Sequence, residues 1–210
     1  MKLFLASEAK NPLNFKKLTD FVGGFAGKTL VYIPTAANGE SFYGSWKQES
    51  STWLLIQTLG AKVLPVVLEE QTTEEVMEKL TATNIIWMAG GATGYLMYWL
   101  RRHGLDKTLP KLLAKNKVYI GSSAGSMVAS RSLSVCEWYL HENEQGAGFI
   151  PGLGLVDFEV YPHFQTDQLE QIKKLRQKNQ TGMPLYLLKD GEAVLVDGFK
   201  IKVFGEERRI

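Results

Sequence analysis

The amino-acid sequence predicts an α/β fold: a doubly wound, mostly parallel sheet sandwiched by helices, with a short C-terminal β-hairpin. Three observations carry that prediction. Short continuous apolar runs recur through the first 130 residues, helical patterns fall between them, and the last stretch holds a two-residue turn signal between two extended runs. Continuous apolar strands suit a parallel sheet covered on both faces.

The strands read in order as "LFLAS" at 3–7, "TLVYIPTA" at 29–36, "KVLPVVL" at 62–68, "NIIWMAG" at 84–90 and "KVYIGSS" at 117–123. Between them, helices are predicted at 13–22, about 45–59, 72–80, 93–102, 106–114 and 125–130. The helix at 72–80 has its own start signal, because Thr72 and Glu75 form a capping box ahead of Val76, Met77 and Leu80 on one face. Beyond residue 130 the chain becomes glycine-rich and then extended at 156–161, before a helix at 166–178 whose buried stripe is Leu169, Ile172 and Leu175. Three short strands, "PLYLLKD", "EAVLVDG" and "KIKVFG", end the sequence, with Asp197-Gly198 as the hairpin turn between the last two.

With 210 residues, 45% of them apolar, the chain suffices for one sizeable core, so residues 1–210 are expected to form a single domain. The net charge of +2 is spread without a basic stripe, which gives nucleic-acid binding no electrostatic support. Cys136 is the sole cysteine and cannot form an internal disulfide. The apolar stretch in "MKLFLASEAKNPLNF" is too short for a signal peptide, and nothing approaches a membrane span, so a cytoplasmic protein is expected. The exposed edge of such a sheet also allows a homodimer.

One junction carries chemistry. In "YIGSSAGSMVAS", Gly121, Ser123 and Gly125 match G-x-S-x-G where a strand ends and a helix begins. Small neighbours let the backbone turn sharply enough to project a hydroxyl, and amides at the helix start can hold an oxyanion. Ser123 is the candidate nucleophile, with Ser122 flanking it. Alone, the pentapeptide also fits an ordinary small-residue βα turn.

A serine hydroxyl needs a base. Of the three histidines, His103 in "LRRHGL" reads as an exposed or helix-end residue and His141 in "YLHENEQG" as a loop residue. His163 in "VYPHFQ" follows an extended stretch and can face a βα turn on a neighbouring strand. The acid that would orient it is Asp190 or Glu192, with Asp157 or Glu159 as upstream alternatives.

Taken together, "VYIPTAA", "IIWMAGGATGYL", "YIGSSAGSMVAS", "GLGLVDFEVYPHF" and "LLKDGEAVLVDG" resemble, in order and over nearly the whole chain, the serine-peptidase family of peptidase E and cyanophycinase. The resemblance implies a fold similar to class I glutamine amidotransferases. It also implies the triad Ser123, His163 and Asp190, in a chain order unlike that of ordinary α/β-hydrolases. It further implies hydrolysis of a small peptide, dipeptidase-like with Asp-X as a candidate substrate, without metal or organic cofactor. The oxyanion hole would be the amides of Ala124 and Gly91. Gly90, Ala92 and Thr93 would form the substrate turn, although Gly90-Gly91 also reads as a plain βα turn.

Three departures from the family pattern bear on specificity. The acid is Asp190 where Glu is usual. Ala92 replaces the polar side chain that follows the paired glycines. The stretch after "PHF" lacks the family's arginines, leaving Lys173 and Arg176 in their vicinity. A non-catalytic binding or regulatory protein on the same scaffold, and an esterase or amidase using the same triad, are the competing readings. Tyr43 and Trp46 sit in a strand-end loop that could border the site.

Overall fold

The computed structural model describes residues 1–40, 44–138, 151–178 and 182–210; His141 and Tyr43 lie outside them. The strands are β1 (Lys2–Ala6), β2 (Thr29–Ile33), β3 (Lys62–Pro65), β4 (Ile85–Met88), β5 (Val118–Ser122), β6 (Glu159–Tyr161), β7 (Leu185–Leu187), β8 (Ala193–Asp197) and β9 (Lys200–Phe204). The helices are α1 (Pro12–Val22), α2 (Thr35–Asn38), α3 (Trp46–Glu49), α4 (Ser51–Gln57), α5 (Thr73–Ala82), α6 (Thr93–Arg102), α7 (Leu105–Leu113), α8 (Ala124–Met127), α9 (Ser134–Trp138) and α10 (Leu169–Lys178).

A seven-stranded sheet runs β3-β2-β4-β5-β1-β8-β9. Its first five strands are mutually parallel, and β8 and β9 add antiparallel. Both faces are covered, as the continuous apolar strands require: Leu3 and Leu5 of β1 enter one buried cluster, while Phe4 and Ala6 enter the other. The same alternation sends Ile86 and Met88 to one side of β4 and Ile85 and Trp87 to the other.

Several details differ from the sequence reading; the strand expected at 29–36 ends at Ile33, and Thr35–Asn38 form the short helix α2. The helix expected near 45–59 is broken at Ser50, which is extended (ψ 109°) and accepts from the Trp53 amide to cap α4. A capping serine competes with helix continuation, so α3 and α4 are separate pieces. The strand expected at 62–68 stops at the edge residue Pro65, where proline is tolerated. The hairpin turn is centred on Gly198-Phe199, because Asp197 still pairs with Lys200. Gly198 takes φ +61° at the first central position, the type II′ pattern. The strand read in "PLYLLKD", β7, lies outside the main sheet and pairs in parallel with β6.

No helix among the described residues is long and apolar enough to cross a membrane.

Candidate active site

Register brings four chain segments to one end of the sheet. Ala6 lies opposite Ser122 on one side and Ala193 on the other, while Met88 lies opposite Gly121. The residues that follow β1, β4 and β5, and those that precede β8, therefore share one rim. In open α/β sheets this carboxyl end of the parallel strands is where ligands bind.

Ser123 sits in the turn between β5 and α8 with φ 49° and ψ −110°. A non-glycine residue in so sparsely populated a conformation costs about 1–3 kcal/mol, and the surroundings hold it there. Its amide donates to the carbonyls of Ala6 and Ser7, at 3.1 and 3.0 Å. The flanking glycines are steric necessities: a Cβ on Gly121 would stand 2.6 Å from the Gly125 carbonyl oxygen, and one on Gly125 would stand 2.5 Å from that of Met88. From below, the buried Tyr119 hydroxyl donates to the Gly125 carbonyl. Burial raises the Tyr119 pKa, so this donor keeps its proton across the ordinary pH range.

His163 reaches this turn from beyond β6. Its Nε2 lies 3.0 Å from Ser123 Oγ, and its Nδ1 lies 2.7 Å from Asp190 Oδ1. A carboxylate only accepts, so Nδ1–H donates to Asp190 and Nε2 is free to accept from the Ser123 hydroxyl. Both His163 and Asp190 side chains are about half exposed. At 2.7 Å the shorter aspartate reaches the imidazole despite lacking one methylene relative to glutamate.

The other acids are engaged elsewhere. Glu192 accepts from the Lys189 and Glu206 amides and pairs with Arg208 at 2.6 Å, which braces the C-terminal segment behind the Asp190 turn. Glu159 is fully buried and pairs with Arg176, while Asp157 pairs with Arg131 at the surface. Arg176 is thus committed to the interior, and Lys173 pairs with Glu170 on the exposed side of α10. His103 does end α6 as expected but is buried rather than exposed, with Nε2 2.7 Å from the Leu68 carbonyl and Nδ1 3.1 Å from the Thr73 hydroxyl. Trp46 is largely buried and packs edge-on against Trp53; it does not line the cleft over Ser123 but borders an adjoining pocket that shares Lys10, Ala37 and Glu40 with it.

A cleft of about 490 Å³ opens over Ser123, within the roughly 300–1,000 Å³ range of small-molecule sites. Its lining includes Gly90, Gly91, Glu8, Lys10, Glu40 and His163. Lys10 is tied to Glu8 at 3.0 Å and donates to Ser51. Gly91 adopts φ +132° against α2, where any Cβ would stand 2.2 Å from the Ala36 carbonyl oxygen. Among the described residues, the amides of Gly91 and Ala124 donate to no backbone carbonyl. Ala92 and Thr93 are buried beneath this turn and do not line the cleft. Ala92 packs so tightly on Gly39 that a Cβ there would come within 2.7 Å of its own, which leaves little space for the polar side chain the family pattern carries.

Sequence reasoning missed Ser7, which follows β1 and is fully buried. Its hydroxyl donates to Asp190 Oδ1 at 2.7 Å and accepts from the His163 amide at 2.8 Å. The available signal was a polar residue ending an apolar strand at the rim where such sheets carry their sites.

Comparison with known proteins gives a consistent picture. The model of Peptidase family S51 matches residues 3–204. The chain is 30% identical over 201 residues to an uncharacterized peptidase of Pasteurella multocida, covering 93% of each. It is 24% identical over 201 residues to peptidase E of the same organism, covering 90% of this chain and 80% of that one. A crystal structure from Listeria monocytogenes EGD-e, solved as a candidate peptidase E, matches with a TM-score of 0.77 at 27% identity over 97% of both chains.

Proposed function

The chain belongs to peptidase family S51 and is a serine-type peptidase, and from that premise we propose that it cleaves short peptides through an acyl-enzyme on Ser123. His163 is the general base and Asp190 the acid that orients it. The observation that carries this reading is the unbroken hydrogen-bond relay from Ser123 Oγ through both imidazole nitrogens to Asp190.

The steps follow from the geometry. Ser123 Oγ attacks the scissile carbonyl carbon as its proton passes to His163 Nε2. Asp190 holds the proton on Nδ1 and stabilises the imidazolium so formed. The amides of Ala124 and Gly91 receive the developing oxyanion, an interaction made in the transition state rather than in the ground state. His163 then protonates the departing amine, and water, deprotonated by the same imidazole, releases the acyl group.

Asp-X dipeptides are the substrate class suggested by the family resemblance. With Arg176 buried in its own ion pair, the cation lining the cleft is Lys10, which an acidic substrate group would draw away from Glu8. A dipeptide-library hydrolysis screen, run with Ser123→Ala as control, tests catalysis and specificity together. Turnover is expected in the wild type and absent in the variant, and a serine-directed fluorophosphonate should label Ser123. Turnover surviving Ser123→Ala, or ester hydrolysis with no peptide hydrolysis, counts against the proposal.

A further inference from the structure

We infer that Ser7 is a positioning residue that holds the base and the acid of the triad in one geometry; this rests on the triad proposed above. Every polar atom of Ser7 is directed at a segment of the site. Its carbonyl accepts from the Ser123 amide at 3.0 Å and its amide donates to the Glu192 carbonyl at 3.1 Å. Its hydroxyl donates to Asp190 Oδ1 at 2.7 Å and accepts from the His163 amide at 2.8 Å. A single buried side chain thus bonds the backbone of the base and the carboxylate of the acid.

Two features explain why such a tie is needed. His163 is held at φ +56°, a conformation uncommon for any residue but glycine, and the bond from its amide to Ser7 Oγ anchors it there. Asp190 is half exposed, and an exposed carboxylate left to itself turns toward water. Oδ1 instead receives two donors, the Ser7 hydroxyl and His163 Nδ1–H, which fixes the carboxylate rotation and draws the shorter acid onto the imidazole. Ser7 touches no reacting atom; it acts through His163 and Asp190.

The test compares Ser7→Ala and Ser7→Thr with the wild type on the best dipeptide from the library. In Ser7→Ala, kcat is expected to fall by about 10- to 100-fold with KM changed by less than about threefold, because misplacement of catalytic groups acts on the reaction step. Ser7→Thr keeps the hydroxyl and restores most of the rate. Full kcat in a folded Ser7→Ala, or Ser7→Thr as slow as Ser7→Ala, overturns the inference. Should Ser7→Ala not fold, hydrogen exchange on the wild type decides: the His163 amide must exchange slowly although its side chain is exposed, and rapid exchange overturns the arrangement. Activity surviving Ser123→Ala would instead bring down the triad itself, so the two failures are distinguishable.

Discussion

Replacing Gly91 by alanine isolates the contribution of one backbone amide. The new Cβ would stand 2.2 Å from the Ala36 carbonyl oxygen and 2.4 Å from its carbon, whereas real Cβ contacts stay beyond 3.0 Å. Something must therefore move by at least 0.8 Å, the difference between 3.0 and 2.2 Å. The α2 segment is the less free partner, because Ala36 is buried and its carbonyl also accepts from the Ala92 amide at 2.9 Å. The 90–91 turn yields instead. A donor displaced by that amount from an ordinary hydrogen-bond length of about 2.9 Å passes beyond the range in which it binds. Losing one oxyanion donor lowers kcat by about 10²–10³, or roughly 3–4 kcal/mol. The assay is steady-state hydrolysis of the best dipeptide, with a thermal melt in parallel. Overpacking of about 1–3 kcal/mol lowers Tm by roughly 2–4 °C per kcal/mol in a chain of this size. Gly24→Ala is the control: it also places alanine at positive φ (+77° there) but meets nothing within 4 Å, so it should lower Tm and leave kcat alone. A folded Gly91→Ala enzyme with kcat within about threefold of wild type refutes the oxyanion assignment.

Other outcomes follow from the same geometry. Asp190→Asn should lower kcat by roughly two to four orders of magnitude, because an amide no longer enforces the reactive imidazole tautomer. Glu192→Gln should retain activity but lose its charge partner Arg208, lowering stability by about 1–3 kcal/mol; the reverse pattern in kinetics and melts would exchange the two roles. Burial raises the Tyr32 pKa from 10.0 to about 12 and also raises that of Tyr119. The folded state therefore binds these protons more tightly than the unfolded state does. The stability they contribute is complete below pH 10.0 and declines as pH rises toward about 12. Tyrosinate absorbance from these two rings should appear together with loss of circular dichroism, and their ionisation in a still-folded protein would contradict the burial argument.

The alternation of strands and helices could be read from the sequence because it rests on local pattern: apolar runs, the Thr72–Glu75 capping box, and glycines flanking Ser123. The choice between Asp190 and Glu192 could not, because two residues of separation turn one carboxylate toward β6 and the other toward Arg208 only once β8 and the C-terminal segment are in place. His103 escaped as a buried residue because its partners Leu68 and Thr73 lie 35 and 30 residues away. Ala92 and Thr93 read as cleft residues because sequence shows neither the direction of α6 nor the proximity of Gly39. Ser7 carried no motif at all, since its role is a contact between residues 183 positions apart.

That separation has a consequence for how the protein is made. On a ribosome, the proposed nucleophile Ser123 and proposed base His163 emerge before the turn at Asp190 and the strand β8 that seats it against β1. A nascent chain, or one halted by a premature stop, holds an elbow and an imidazole without the acid turn that completes the relay. On the proposed mechanism, hydrolytic competence is acquired only when β8 closes against β1 and seats the Asp190 turn.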